Sequence, residues 1–390
     1  MNERFVAGKK VIQRLNDFGY EGYFVGGFVR DRILGEESND IDITTSAKPE
    51  EIAALFKKTK ATGIKYGTVT VFMDGFLVEV TTFRTEKDYV NYRKPKQVNF
   101  STNLHEDLKR RDFTINALAM DYHEKVVDLF DGIHDINRRL IRAIGNPDER
   151  FNEDALRILR ALRFVAKLDF AIEKETINSM KKNVMLISKL ANERVVDELK
   201  KIFSYNYSKE AVKYMERINL QFAFNEFSLG IGRYIKSDIS LDFLGFMAMS
   251  LFLKGIDIPD NWRLSKKEIT LISKCIELIS VTENDYYNPL LVYRLGKDIC
   301  LYANKISQVI NPMNNQEDLI VEIFEKLPIK KTCDLLFKGQ DILELTKIKN
   351  AEVIGEIIQE LEYQVINNNI ENDYHILRSY AEYLMEKYNG

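Results

Sequence analysis

The pattern of apolar and polar positions changes character near residue 138. Before it, stretches of period two alternate with stretches near 3.6; after it, almost only the helical period remains. An amphipathic helix is predicted over about residues 1 to 20, where Val6, Val11, Ile12 and Leu15 gather on one side and cationic residues lie elsewhere. Tyr23 to Val25 reads as an apolar strand running into Gly26-Gly27, and a second helix is predicted to open near Arg30. Asp40-Ile41-Asp42-Ile43 alternates strictly, so as a strand it sets both aspartates on one face and both isoleucines on the other. Lys48-Pro49-Glu50-Glu51 starts a further helix, since proline is tolerated in a first turn and acids suit the dipole there. Thr68 to Met73, an Asp74-Gly75 turn and Phe76 to Thr82 form an antiparallel hairpin. Residues from about 84 to 105 break the pattern, Arg110 to Leu118 reads as helix, and Val126 to Leu129 as a short strand before Asp131-Gly132 turns the chain away. Helical spacing then recurs at Glu153 to Phe164, where Leu156, Leu159 and Phe164 face a core, at Ser208 to Ile218 and at Glu352 to Val365. The fold class expected is α+β, a mixed sheet followed by an all-α remainder.

Composition narrows the class. At 390 residues the chain exceeds one compact core and implies two to four domains. An apolar share of 45% and a charged share of 29% read as an ordinary soluble globular protein. No apolar run has the length needed to cross a membrane, and the charged stretch Met1 to Lys10 lacks a signal core, so a cytoplasmic protein with no membrane contact is expected. Cys275, Cys300 and Cys333 make no CxxC pair, which suits a reducing compartment and leaves structural zinc unsupported. A formal net charge of −3 means that any RNA contact must come from local basic patches, and nothing points to DNA or to an obligate protein partner.

The candidate chemistry lies in the first half. Two glycines before a helix let backbone approach a phosphate, and two carboxylates side by side repel unless a cation sits between them. Mg²⁺ held by one or two carboxylates plus substrate phosphates is the usual arrangement at phosphoryl-transfer sites, which makes Asp40 and Asp42 metal candidates. Glu79 faces away from Val78 and Val80, either as a third acid of that site or as a solvated strand glutamate. Between residues 84 and 105, Arg84, Lys87, Arg93, Lys94 and Lys96 interleave with Tyr89, Tyr92 and Phe100 around Pro95, which favours a mobile basic and aromatic loop touching nucleotide or RNA over a solvated excursion. In Arg110-Arg111-Asp112-Phe113-Thr114-Ile115-Asn116, a helix would put Asp112 and Asn116 on one face, suited to ribose hydroxyls, with the arginines suited to phosphates. Asp154 and Arg157 lie three apart on the next helix; they form either a plain ion pair or a pair that hydrogen-bonds the edge of a base.

Four ordered motifs, GG-x-x-R-D with D-x-D, RRDFTINAL, EDALR and Ala191 to Leu199, resemble the class II CCA-adding tRNA nucleotidyltransferases, a family of the DNA polymerase beta superfamily that includes bacterial poly(A) polymerases. The resemblance implies a nucleotidyltransferase head over 1–140, a helical neck over 141–205, a body over 206–268 and a tRNA-binding tail over 269–390. It implies that Asp40 and Asp42 hold catalytic Mg²⁺ ions, with Glu79 beside them as a catalytic candidate, and that Gly26, Gly27 and Arg30 meet the triphosphate. Asp112 and Asn116 would recognise ribose, and Asp154 and Arg157 would select CTP and ATP in place of a template. Arg111, Arg160 and Arg163 join the nucleotide-binding set, while Glu193, Arg194 and Glu198 would brace the neck. In the tail, near Phe337 to Leu343, Lys330, Lys331 and Lys338 would contact tRNA phosphates; where the family has a proline–glycine turn, Ile348-Lys349-Asn350-Ala351 stands instead. Enzymes that add only CC resemble this pattern with the loop before Arg110 shortened, and poly(A) polymerases carry a basic extension that is absent here, so full CCA addition is the expectation. A-adding, CC-adding and poly(A)-adding relatives, and an inactive RNA-binding relative, are the alternatives.

Overall fold

The computed structural model describes residues 3–37, 40–90, 94–282, 285–345 and 351–389. Tyr92, Arg93, Ile348, Lys349 and Asn350 lie outside the described residues. The chain divides into two compact units, Met1–Ile231 with Asp260–Arg263, and Gly232–Pro259 with Leu264–Gly390.

The first unit begins with helix α1 (Glu3–Asp17), strand β1 (Gly22–Val25), helix α2 (Gly27–Ile33), strand β2 (Asp42–Thr45) and helix α3 (Pro49–Leu55). Strands β3 (Thr59–Gly63), β4 (Thr68–Met73) and β5 (Phe76–Thr82) follow, with Asp74 and Gly75 both at positive φ in the turn between the last two. Strands β8 (Leu118–Met120) and β9 (Val126–Asp128) complete a seven-stranded mixed sheet in the order β3-β4-β5-β2-β1-β8-β9. Among its described pairings only β2 with β5 is parallel. Val69, Val71, Val78, Val80 and Ile43 point to one face, where α1 covers them with Phe5, Ala7, Val11, Ile12 and Leu15. Val6, expected on that side of α1, is only half buried, and Phe5 takes its place.

The opposite face stays polar because the same alternation puts Asp42, Thr44, Glu79, Thr81, Thr68 and Thr70 there. The basic and aromatic stretch is a two-stranded antiparallel ribbon in its backbone, β6 (Arg84–Val90) with β7 (Lys94–Phe100), where a loop was expected. Its ladder carries no alternation of apolar residues, so period alone could not reveal it.

The helix expected over Arg110 to Leu118 is absent. Helix α4 (Leu104–Lys109) stops short, Phe113 bridges Ala143 in extended form, and Thr114–Asn116 makes a single 3₁₀ turn. Asp112 Oδ1 accepts the Phe113 N–H at 2.9 Å, a local bond that competes with helix continuation. The chain then runs through α5 (Gly132–Asn137), β10 (Leu140–Ile141), α6 (Pro147–Glu153), α7 (Leu156–Leu168), β11 (Ala171–Ile172), α8 (Lys174–Asn183), α9 (Asn192–Ser204) and α10 (Ser208–Arg217). Strands β10 and β11 form a small parallel pair in a region expected to lack strands, while α7 packs against α9 and α10.

The described elements of the second unit are helices. Helix Phe243–Lys254 is buried around most of its circumference, as a central helix must be, with Asp242 accepting from the Gly245 N–H at its start and Gly255 in the left-handed conformation at its end. Among the described residues no helix is long and apolar enough to cross a membrane.

Candidate active site

One cavity of about 900 Å³ opens over the polar face of the sheet. Its floor follows from strand register: Val25 pairs with Asp42, Asp42 with Glu79, and two residues further along Thr44 pairs with Thr81. Asp40, just before β2, lines the same space, and Ile41 between the two aspartates is buried on the far side. The Asp42 carboxyl is pushed up to about 6, first by burial and then by the charges of Asp40 and Glu79, against a lowering from Arg111. Asp40 and Glu79 thus add negative potential at Asp42, and carboxylate oxygens lining one cavity suit a hard divalent cation. Among the described residues no three such side chains are placed to hold a metal ion by themselves, so substrate oxygens would complete the shell.

The rim is the β1–α2 turn. Gly26 sits at φ +72°, and a Cβ there would come within 3.2 Å of Arg111 Nη1. Helix α2 opens at Gly27, nearly one turn earlier than expected. Arg30 was expected to stand ready for a triphosphate. It lines the cavity but is buried, and its Nε and Nη2 donate to Asp31 Oδ1 at 2.8 and 2.6 Å while Nη1 donates to Asn116 Oδ1 at 2.6 Å. Arg111 is better placed for an anion: its Nε is buried without a hydrogen-bond partner in the structure. Its Nη2 and the Arg110 side chain both donate to Asp107, a fully buried carboxylate that also takes the Thr44 hydroxyl. Burial would raise the Asp107 carboxyl, but Arg110 and Arg111 hold it below the usual range.

Asp112 and Asn116 meet without a helix, Asn116 Nδ2 donating to Asp112 Oδ1 at 3.2 Å. Arg160 binds the other carboxylate oxygen through Nε at 2.7 Å and Nη2 at 2.6 Å. Burial opposes ionisation of Asp112, yet the Arg160 charge and the bonds from Arg160 and Asn116 take it down to about 2. Its acceptor capacity is therefore largely committed within the protein.

The far wall is α7. Asp154 and Arg157 both line the cavity but do not pair, contrary to the side-by-side reading. Helix α6 ends at Glu153, and Asp154 is extended, its carboxylate accepting the Leu156 N–H at 3.1 Å in the manner of a cap. Arg194 holds Asp154 at 2.9 Å, while Arg157 donates to Glu153 at 2.6 Å, to the Arg150 carbonyl and to the Arg110 carbonyl at 2.9 Å. Glu198 takes Arg163 Nε at 2.7 Å. Glu193 is exposed, lies 3.8 Å from Arg263 and is not among the residues lining the cavity. Phe164 lies beneath the guanidiniums of Arg30, Arg160 and Arg163 at 5.2, 5.8 and 4.6 Å from its ring centre.

Sequence reasoning passed over Asp107 and Lys167, and gave Asp31 no role beyond its place in the GG-x-x-R-D motif. Asp107 stands three and four residues before Arg110 and Arg111, the spacing of helical ion pairs, and that signal could have found it. Nothing local links Lys167 to Asp31. In the second unit Lys330, Lys331 and Lys338 are exposed; Lys330 Nζ lies 4.7 Å from the Phe324 ring centre and 3.8 Å from Glu325.

Comparison with known proteins follows the same order along the chain. Residues 22–142 match the family described as Poly A polymerase head domain, 169–227 the probable RNA and SrmB-binding site of polymerase A, and 251–381 the putative tRNA nucleotidyltransferase domain 2. The chain is 38% identical to the CCA-adding enzyme of Ligilactobacillus salivarius, over 99% of this chain and 98% of that protein. It is 36% identical to the CCA-adding enzyme of Enterococcus faecalis, over 97% and 96%. Among solved structures it is similar to the Bacillus stearothermophilus CCA-adding enzyme in complex with CTP, with a TM-score of 0.81 and 28% identity over 100% of this chain and 99% of that one. The Thermotoga maritima CCA-adding enzyme complexed with tRNA_CCA shares the fold, with a TM-score of 0.68 and 22% identity over 98% and 96%.

Proposed function

Because the chain belongs to the CCA-adding enzymes, we propose that it appends C, C and A in turn to the 3′ end of tRNA from CTP and ATP, releasing pyrophosphate and using no nucleic-acid template. The observation that supports this reading is the joining, in one cavity, of a carboxylate floor at Asp40, Asp42 and Glu79 with an arginine-rich wall that includes Asp154 and Arg157. Floor and wall answer to the two halves of a nucleoside triphosphate, reacting phosphates and a base to be read.

Gly26 and Gly27 leave room for the phosphates, and Arg111, with its spare Nε donor, takes their charge. Asn116 and Asp112 face the ribose, Asp112 yielding one of its Arg160 bonds to a sugar hydroxyl. Arg157 and Asp154 read the base edge, presenting donors and acceptors as a template base does, while Arg194 holds Asp154 in place and Glu198 holds Arg163. Asp40 and Asp42, with Glu79 beside them, would hold a divalent cation together with substrate oxygens, Mg²⁺ in our reading, which when bound would supply Lewis-acid stabilisation of charge on the α-phosphate and lower the pKa of the attacking 3′-hydroxyl. Head, neck, body and tail correspond in this proposal to residues 1–140, 141–205, 206–268 and 269–390, with Lys330, Lys331 and Lys338 on the tRNA backbone and the cytoplasm as the place of action.

Substituting Asp42→Ala tests the assignment. The variant is expected to lose nucleotide incorporation by about three orders of magnitude or more while binding tRNA as the parent does. Turnover near the parental rate contradicts the carboxylate floor.

A further inference from the structure

Helix α7 turns one face to the cavity at positions 157, 160, 164 and 167, a 3-4-3 spacing that places the four residues in line. Arg157 is tied to the Arg110 carbonyl and Arg160 to Asp112, so the first half of the helix is anchored to the RRDF segment. Its last turn is anchored elsewhere: Lys167 Nζ donates to Asp31 Oδ2 at 2.9 Å, the oxygen that Arg30 leaves open. Asp31 is 5% exposed, lines the cavity and closes the GG-x-x-R-D motif.

Followed through its bonds, this contact closes a ring. Lys167 holds Asp31, Asp31 holds Arg30, Arg30 donates to Asn116, Asn116 to Asp112, and Arg160 to Asp112; Arg160 and Lys167 then rejoin through α7 itself. Phe164 fills the middle, under the Arg30 guanidinium. Helix α7 is packed on α9 and α10, and a packed block of helices anchored to the head at one end of α7 can swing and roll about that end. A second anchor seven residues on, about 10 Å along the axis, fixes both motions.

We propose that the Lys167–Asp31 pair is this second anchor, which sets the register of the base-reading face of α7 against the head and makes Lys167 a positioning residue that determines nucleotide choice. The inference rests on the functional reading above. Lys167 acts through Asp31 and the ring, with no bond to the nucleotide.

The test uses the full chain and the variants Lys167→Met, Lys167→Arg and Asp31→Asn, with single-turnover addition of CTP and of ATP to tRNA transcripts lacking CCA. In Lys167→Met and in Asp31→Asn, the preference for C at the first position is expected to fall about tenfold, as displacement of a positioned group by a fraction of an ångström does. Lys167→Arg keeps the preference, and the double variant Lys167→Met with Asp31→Asn is no worse than either single one. Equal weakening of CTP and ATP in Lys167→Met would overturn the proposal, because it marks a direct phosphate contact. Unchanged preference with a lowered unfolding temperature also overturns it and leaves a structural ion pair. The parent protein separates the two claims: a parent that adds neither C nor A overturns the functional reading and this inference with it, whereas parental addition with unaltered choice in the variants overturns this inference alone.

Discussion

Asp42, partly buried, and Asp112, buried, are carboxyls of one cavity, and the protein drives them in opposite directions. At Asp42, burial and the charges of Asp40 and Glu79 raise the folded-state value to about 6 from an ordinary 3.8, so the fold favours the protonated acid. As pH rises through that interval the unfolded chain ionises first, and folding loses stability between about pH 4 and pH 6. A divalent cation held at Asp42 would reverse this loss by displacing the proton. Thermal unfolding with and without millimolar MgCl₂ is therefore expected to show greater cation stabilisation at pH 7 than at pH 5, and Asp42→Asn to lose most of the difference; equal stabilisation in that variant would contradict the cation assignment. At Asp112 burial is outweighed by Arg160, and the depressed value of about 2 gives stability that is complete above pH 4 and lost as pH falls toward 2. Acid titration of Asp112→Asn should lack this loss, leaving a flatter profile between pH 4 and pH 2.

At the scale of elements, Asp107 joins pieces that the chain keeps far apart. It ties α4 to Arg110 and Arg111, to Thr44 on β2 and to the Arg84 backbone N–H at the start of β6. Asp107→Ala leaves two arginines without their buried partner and is expected to cost about 3 kcal/mol, read from the urea midpoint. A loss below about 1 kcal/mol would show that the arginines find other partners. The wall proposed to read the base gives a separate expectation: Arg157→Ala should blur the choice between CTP and ATP more than it slows addition of the correct nucleotide, checked by kcat and KM for each.

Where elements follow from local pattern, the sequence is legible. The β4–β5 hairpin is readable because Asp74-Gly75 supplies two positive-φ positions between alternating strands, and the D-x-D strand because its isoleucines must be buried. The RRDFTINAL segment misleads, since its helical spacing is real but the Asp112 carboxylate captures the Phe113 N–H. The Asp154 and Arg157 spacing misleads for a related reason: an aspartate that caps the next helix cannot also lie on its face. The Lys167–Asp31 and Arg163–Glu198 pairs are tertiary and have no local trace.

For the whole molecule, a net charge of −3 and a polyanionic partner require that attraction be concentrated, not spread. Exposed Lys331 and Lys338 keep their ammonium groups at the surface, while Lys330 divides its charge between Phe324 and Glu325. Charge reversal of all three should weaken tRNA binding and reduce the salt slope by roughly one unit for each phosphate no longer neutralised, leaving CTP binding unchanged. An unaltered slope in filter binding would place the tRNA grip elsewhere in the chain. The order and number of nucleotides added distinguish full CCA addition from every related activity. The most direct measurement supplies labelled CTP and ATP, separately and together, to tRNA transcripts that end before, within and one residue short of CCA. Completion to CCA with no further growth is the predicted result; arrest after CC, or a ladder of A residues, would contradict it.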